Sequence, residues 1–223
     1  MGLEFRGNIA KTYEAWFSTP RGRLADRLEK RTITSLVRLK PGDKVLDVGC
    51  GTGHFSVFLK EPGTEVTGID PSPEMLEQAM ALYGDRGIQF RKGSAYSLPF
   101  ADRSFDLVTM ITVLELLEDP KKAIQEAFRV SKGKVFLAIL NRKSLLAWQR
   151  RRGGKWIWQQ VHFYTLPEVK NLVGKDKKIR WQGALYLPLI DTECAFNFRL
   201  NFENWLSRFR LPYSAFIGIM AES

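Results

Sequence analysis

Short apolar runs alternate with amphipathic patterns through most of this chain. The predicted strands are Lys44–Val48, Glu65–Ile69, Ile88–Arg91, Phe105–Ile111, Lys134–Leu140, Ile179–Leu187 and Ala215–Ala221. Between several of these runs, apolar residues recur at the three- and four-residue spacing of a helix that buries one face. Strands that alternate with helices indicate βαβ units and a parallel sheet.

Several residues predict where the helices begin. Ser72 before Pro73 is a predicted N-cap, Pro120 opens a further helix, and Thr165 caps another. Residues 1–40 read as an amphipathic helical cover, and Pro41-Gly42-Asp43 predicts the turn into the first strand. We therefore expect one α/β domain with a helical N-terminal cover.

The composition fits an ordinary globular domain. The chain has 223 residues, of which 44% are hydrophobic and 26% charged, which excludes a disordered or fibrous class. We expect a single domain over 1–223: the cover at 1–40, a core at 41–140, and an inserted region with the final strands at 141–223.

The cysteines and the apolar runs indicate the cellular compartment in which the protein is expected. Cys50 and Cys194 are far apart and have no metal-type spacing, so neither a zinc site nor a disulfide scaffold is expected. The most apolar stretch, Leu107–Leu117, contains Glu115 and is too short to cross a bilayer. The N-terminus also lacks an apolar signal-peptide core. We expect no metal and a cytoplasmic protein.

The basic charge is concentrated in one region. Residues 141–182 carry eleven Lys or Arg and two acids, a net +9 against +10 for the whole chain. Aromatic residues lie among these cations over 145–164. Such a pattern suits nucleic acid, a membrane surface, or a lid over an anionic or apolar small molecule, although a merely solvated surface stays open.

A glycine-rich turn follows the first predicted strand. The run VLDVGCGTG ends at Gly53, and Asp70 ends the next strand seventeen residues later. Glycines allow a ligand to approach the backbone closely, and the following helix presents free N–H groups. In a doubly wound sheet, Asp70 would lie beside the ribose of a nucleoside bound over the turn.

A dinucleotide site is the rival interpretation of this turn. Its fingerprint is G-x-G-x-x-G, in which the third glycine follows the second by three positions. Here Gly53 follows Gly51 by two, and His54 stands where that third glycine belongs. The spacing therefore disfavours an NAD-type site.

The combined pattern resembles the class I S-adenosylmethionine (SAM)-dependent methyltransferases, especially their quinone-biosynthesis-like branch. Three stretches carry the resemblance, which spans about residues 41–140: LDVGCGTG, GIDPSPEML and GSAYSLPFADRSFDLVTMI. It implies a Rossmann-like, doubly wound sheet in three layers, mostly parallel with an antiparallel last strand. It also implies SAM as cofactor and S-adenosylhomocysteine as product.

The resemblance assigns a set of cofactor-binding residues. These are Tyr13, Asp47, Gly49, Cys50, Gly51, Gly53, Asp70, Pro71, Met75, Ser94, Ala95 and Ile111. Asp47 could instead cap the following helix, and Met75 could be a plain core residue. The family usually has an acid where Ser94 stands, so adenine would be bound mainly through backbone and hydroxyl groups there.

No catalytic base is assigned by the sequence. The candidates are His162, Glu115, Tyr13 and Tyr164, and His162 could equally be structural within its apolar run. We expect methyl transfer to a small molecule, anionic or lipid-like in character. The alternatives are an RNA or protein methyltransferase that uses the basic region, and a cofactor-binding module without activity.

Overall fold

The computed structural model describes residues 14–153, 161–188 and 196–223. Its strands are β1 (Lys44–Val48), β2 (Glu65–Asp70), β3 (Ile88–Lys92), β4 (Leu107–Ile111), β5 (Lys134–Leu140), β6 (Lys178–Ala184) and β7 (Phe216–Glu222). Its helices are α1 (Pro20–Leu36), α2 (His54–Leu59), α3 (Pro73–Tyr83), α4 (Pro120–Val130), α5 (Leu145–Arg152), α6 (Leu166–Val173) and α7 (Phe196–Ser207). Single 3₁₀ turns occupy Gly84–Arg86 and Leu114–Leu116.

The described strands form one sheet of seven, in the order β3-β2-β1-β4-β5-β7-β6. Neighbouring strands from β3 to β5 pair in parallel, whereas β7 runs antiparallel to both β5 and β6. The chain therefore has the mostly parallel, doubly wound sheet with an antiparallel last strand that the resemblance implied.

Helices cover both faces of this sheet, and β5 shows how the layers are separated. Val135, Leu137 and Ile139 point into a cluster shared with α4 and α6. Phe136 and Ala138 point into an opposite cluster shared with α1 and α2. Because successive side chains of a strand face opposite ways, one strand that is apolar from residue 135 to residue 140 supplies both cores. This confirms the three layers.

The predicted helix starts agree with the structure. Ser72 accepts a hydrogen bond from the Met75 N–H at 3.3 Å, and Asp119 caps the helix that Pro120 opens. Thr165 and Glu168 form a reciprocal capping box at α6. These signals are local in sequence, which is why they could be read directly.

Three predicted boundaries were wrong by two or more residues. In the described part of the cover, α1 ends at Leu36, and the chain is non-helical from there to β1. β4 begins at Leu107, because Phe105 makes only an isolated bridge to Ser131. β6 stops at Ala184, since Leu185 adopts a φ of 64° and leaves the extended conformation.

Two helices, α5 and α7, were not predicted. Ser144 caps α5 by accepting the Ala147 N–H at 3.0 Å, a signal that the sequence does contain. In α7 the apolar residues first recur every two positions, which masks the helical period. None of the helices in the described ranges has the length and apolarity required to span a membrane.

Candidate functional site

The candidate site lies at the carboxyl edge of the sheet, between β1 and β4. The chain leaves β1 towards β2 on one side, while β4 and β5 extend the sheet on the other side. Loops that leave the two central strands diverge at such a switch point and open a crevice, which is where ligands bind in this class of sheet.

The glycine loop forms one wall of the crevice. A Cβ built on Gly49 would lie 2.5 Å from Val113 Cγ2, and its φ of 71° is left-handed, so both space and conformation require glycine there. Gly51 has a φ of 55°, but a Cβ on it would meet nothing within 4 Å. Gly51 therefore borders open space, where a ligand can approach its backbone.

Asp70 lies directly beside this open glycine. Its Oδ2 accepts the Gly51 N–H and its Oδ1 accepts the Ser72 N–H, each at 2.9 Å. Burial raises the pKa of Asp70, and the hydrogen bonds from Ser72 and Gly51 oppose that rise. Each carboxylate oxygen keeps a second lone pair, so Asp70 can accept hydroxyl protons as well.

Asp47 lies near the end of β1, two residues before Gly49 of the glycine loop. Its carboxylate accepts the Ser56 hydroxyl at 2.6 Å and the Thr109 hydroxyl at 2.8 Å. Burial raises the pKa of Asp47 to about 6. Asp47 thus ties β1 to α2 and β4 through side chains, and these bonds differ from the backbone bond of a helix cap.

Cys50 and Ile111 are predicted binding residues with buried side chains. A Cβ built on Gly68 would lie 2.9 Å from Cys50 Sγ, so the thiol packs against β2, and burial raises its pKa. Ile111 is buried at the end of β4 and belongs to the cluster under α1 and α2. A ligand in the crevice would therefore contact Cys50 through its backbone and not through its thiol.

The predicted adenine-side residues lie next to Asp70. Asp70 pairs with Lys92 at the ends of β2 and β3, and the Gly93 N–H donates to the Asp70 carbonyl at 3.1 Å. The exposed Ser94 and half-buried Ala95 follow immediately. Across from them, Pro71 is exposed and Met75 is buried at the start of α3.

Three of the four catalytic candidates meet on the other side, beyond β4. The Glu115 carbonyl accepts the His162 N–H at 3.0 Å, and the rings of His162 and Tyr164 have centroids 4.5 Å apart. Burial raises the pKa of Tyr164 to about 12, and the Glu115 charge adds to that effect. The fourth candidate, Tyr13, lies outside the described residues.

Glu115 is the unusual member of this group. It is 3% exposed, and burial raises its pKa to about 7 although the Leu140 N–H donates to Oε1 at 2.5 Å. Its Oε2 is buried and has no hydrogen-bond partner in the part of the chain that is described. An unpaired buried oxygen costs free energy, which a bound donor would recover.

The start of the cover contacts the glycine loop and α2 through pairs of residues that were not predicted from the sequence. The Thr52 hydroxyl donates to Glu14 at 2.6 Å, and the ring of Phe17 stacks on His54 with centroids 3.7 Å apart. Asp26 in α1 also lies 2.6 Å from His54 Nε2. The two members of each pair are distant in sequence, so no local pattern indicates these contacts.

Together these features define a Rossmann-like nucleoside-binding protein: a doubly wound sheet, an open glycine loop at its switch point, and an acid at the end of the next strand. In the described ranges, no group of three or more His, Cys, Asp or Glu side chains could hold a metal ion.

Comparison with known proteins identifies the family. Residues 46–139 match the model of a methyltransferase domain. The chain is 33% identical to an uncharacterised protein of Methanocaldococcus jannaschii, over 72% of this chain and 74% of that protein. It is 40% identical to a demethylmenaquinone methyltransferase of Renibacterium salmoninarum, over 49% of this chain but only 46% of that enzyme.

The solved structures agree. One of them is a SAM-dependent methyltransferase of Thermotoga maritima that is described as a possible histamine N-methyltransferase. It superposes on this chain with a TM-score of 0.73 at 25% sequence identity, and the superposition covers 95% of this chain and 94% of the Thermotoga chain. The chain belongs to the class I SAM-dependent methyltransferases. The cofactor of this family is SAM.

Proposed function

We propose that this protein transfers the methyl group of SAM to a small-molecule acceptor bound at the carboxyl edge of the sheet. The observation that carries the proposal is the pairing of Asp70 with the open backbone of Gly51, at 2.9 Å between N and Oδ2. A carboxylate beside an unobstructed glycine fits a nucleoside whose ribose hydroxyls need acceptors.

The residues of the loop fit the cofactor. Asp70 accepts the ribose hydroxyls through its remaining lone pairs, and Gly51 gives access to the loop backbone. Ser94 and Ala95 border the adenine, and Asp47 holds the loop in place through Ser56 and Thr109. When bound, SAM supplies a methyl group on a positively charged sulfur.

Positioning supplies much of the rate in such a transfer, because an in-line displacement needs the two reacting atoms aligned. A base is required only where the acceptor must lose a proton. Glu115 suits that role, since a carboxyl with a pKa of about 7 is partly ionised at neutral pH and can accept a proton. Tyr164, whose pKa is raised to about 12, stays protonated at neutral pH and can donate a hydrogen bond to a bound acceptor.

The relatives support a small acceptor. One matched enzyme acts on demethylmenaquinone by its name, and the structural neighbour is described as a possible histamine N-methyltransferase. The chain spans about half the length of the former, so the acceptor of this protein remains a proposal.

The cofactor half of the proposal is tested by calorimetric titration with SAM and S-adenosylhomocysteine, with NAD as control. We expect both adenosyl compounds to bind and NAD not to bind. Binding of NAD alone, or of none of the three, would contradict the proposal.

The acceptor half is tested by incubation with methyl-tritiated SAM and a cell extract, followed by acid precipitation. We expect a labelled product, separated from unreacted SAM by chromatography, in the acid-soluble fraction. Its rate of formation should rise as pH passes about 7, where Glu115 ionises. Glu115→Gln should bind SAM normally but lose that pH-dependent rise. Label confined to precipitated RNA or protein would overturn the small-molecule acceptor.

A further inference from the structure

A continuous row of exposed aromatic rings runs along one face of α7 and into the turn that follows it. Phe198, Phe202, Trp205 and Phe209 are 72%, 38%, 49% and 56% exposed. Successive ring centroids lie 6.3, 5.5 and 4.9 Å apart. We call these four residues the aromatic stripe. Large apolar side chains scattered singly on a surface are ordinary, but a contiguous patch marks an interaction site.

The opposite face of α7 fixes the direction of the stripe. Glu203 is buried, and its two oxygens accept the N–H groups of Tyr186 and Leu187 at 2.9 and 2.8 Å. The buried Arg199 donates to the Pro188 carbonyl, and Leu200 packs against the core under α1. The helix therefore cannot turn the stripe inward without breaking these contacts.

The exposed charge within the segment 196–213 is positive. Glu203 is the only acidic residue in the sequence from 196 to 213, and its carboxylate is buried. The exposed Arg208 and Arg210 follow the helix directly. A protein partner of mixed charge would gain little from this surface, whereas a negatively charged plane would be attracted to it.

The exposed apolar surface continues towards α5. Tyr213 and Leu211 are exposed beyond the stripe. The Asn141 amide donates to the carbonyls of Pro212 and Ser214, and the Asn141 carbonyl accepts the hydroxyl of Ser144. Since Ser144 is the N-cap of α5, the end of the α7 segment and the start of α5 are anchored at one residue.

The helix α5 repeats the same chemistry. Leu145 and Trp148 are among its exposed residues, and the guanidinium of Arg152 lies 4.3 Å from the centre of the Trp148 ring. Aromatic rings next to arginines are typical of helices that lie at the interface of a bilayer, where the rings enter the headgroup region and the cations meet anionic lipid.

We propose that the aromatic stripe docks this protein on an anionic lipid bilayer, with Phe198, Phe202, Trp205 and Phe209 in the headgroup region and Arg208 and Arg210 on lipid phosphates. The docking surface is independent of the cofactor site, because its residues are separate from the glycine loop and Asp70. It would hold the enzyme against the membrane in a fixed orientation.

The test is co-sedimentation with vesicles of mixed phosphatidylcholine and phosphatidylglycerol, compared with phosphatidylcholine alone. We expect binding to the anionic vesicles, and a reduction of about 10-fold or more for Phe202→Ser/Trp205→Ser. The matched control is Met80→Ser/Leu82→Ser, which removes two exposed apolar residues of α3 and should bind as the parent does. Equal loss in both variants, or no vesicle binding by the parent, would overturn the proposal.

Charge and depth are tested separately. Arg208→Gln/Arg210→Gln should weaken binding to anionic vesicles, whereas Lys121→Gln/Lys122→Gln, an equal loss of exposed charge on α4, should not. Quenching of tryptophan fluorescence by brominated lipid should fall in Trp205→Phe, a variant that keeps an aromatic ring. If it does not fall, Trp205 does not enter the bilayer.

A second copy of the chain is the competing occupant. If the parent forms a concentration-dependent dimer without lipid, and Phe202→Ser/Trp205→Ser abolishes it, the stripe is a subunit interface and the membrane proposal is wrong. SAM titration of each variant separates a docking defect from damage to the cofactor site, since docking variants should bind SAM as the parent does.

Discussion

Asp70 Oδ2 and the backbone nitrogen of Gly51 are 2.9 Å apart and share a hydrogen bond. The acid at the end of β2 thereby holds the loop that follows β1, so the two predicted walls of the cofactor site position each other. A change in either residue should affect the shape of the site as well as its contacts.

Asp70→Asn should weaken SAM binding by about 1–3 kcal/mol, roughly 5- to 150-fold, because an amide cannot replace a charged acceptor for two hydroxyls. The amide oxygen still accepts one backbone N–H, so the fold should survive. Calorimetry measures the affinity, and thermal unfolding checks the fold. A folded variant that binds SAM as the parent does would show that the ribose lies elsewhere.

Gly49→Ala and Gly51→Ala form a matched pair within one loop. The added methyl at position 49 would meet Val113 at 2.5 Å, so we expect a loss of more than about 2 kcal/mol in the free energy of unfolding. At position 51 it meets nothing, so unfolding should change by only about 1–2 kcal/mol, the cost of a left-handed alanine.

SAM affinity should follow the reverse order. The methyl group on residue 51 would occupy the side from which a ligand approaches. Gly51→Ala should therefore weaken SAM binding more than Gly49→Ala does, although it lowers the free energy of unfolding less. Denaturant unfolding and calorimetry of both variants provide the comparison. Equal binding by the parent and folded Gly51→Ala would argue against an approach over this residue.

Asp26→Asn tests the contact between α1 and α2. Burial opposes ionisation of Asp26, but hydrogen bonds from His54 and Lys30 lower its pKa overall. Because its pKa is lowered in the folded state, ionised Asp26 stabilises the protein at pH values above the ordinary aspartate pKa, which is near 4. This stabilisation is lost as pH falls through the lowered pKa.

The variant should therefore be about 0.5–2 kcal/mol less stable at pH 7, and the difference should vanish in acid. Urea unfolding at several pH values measures it. Asp85→Asn, which removes an exposed acid 3.7 Å from Arg86, is the control and should change little. A pH-independent difference would exclude the ionised pair as the cause.

Glu29→Gln should stabilise the protein in base. Burial raises the pKa of Glu29 to about 8, although Arg150 opposes the rise. Because the folded state holds this proton more tightly than the unfolded chain, whose glutamates titrate near 4, the contribution to stability declines as pH rises between those values. The amide removes that decline.

We expect the melting temperature of Glu29→Gln to exceed that of the parent by roughly 2–8 °C at alkaline pH. Near pH 4, where glutamates of the unfolded chain titrate, the two melting temperatures should match. Scanning calorimetry across this range is the measurement. Glu77→Gln, at an exposed position of α3, should leave the pH dependence unchanged. If the melting temperature of Glu29→Gln depended on pH as steeply as that of the parent, the raised pKa of Glu29 would not be the cause of the decline.

The sequence predicted what local signals encode. The strands, the caps at Ser72 and Thr165, and the neighbourhood of Gly51 and Asp70 each depend on a few consecutive residues and on rules of parallel sheets. The partners of Asp47 and His54 could not be predicted, because Thr109 and Asp26 are distant in sequence and meet only through packing. The helix α7 was missed because its exposed face is aromatic, so apolar residues recur every two positions at its start and hide the helical period.

The position of β7 constrains the order of assembly. β7 follows β6 in the chain, yet it lies between β5 and β6 and supplies both strand interfaces. During synthesis on the ribosome, β6 therefore has no edge to join until residues 216–222 have emerged. The β1–β5 sheet can close earlier, so a nascent chain would expose the apolar edge of β5 to chaperones until β7 pairs with it.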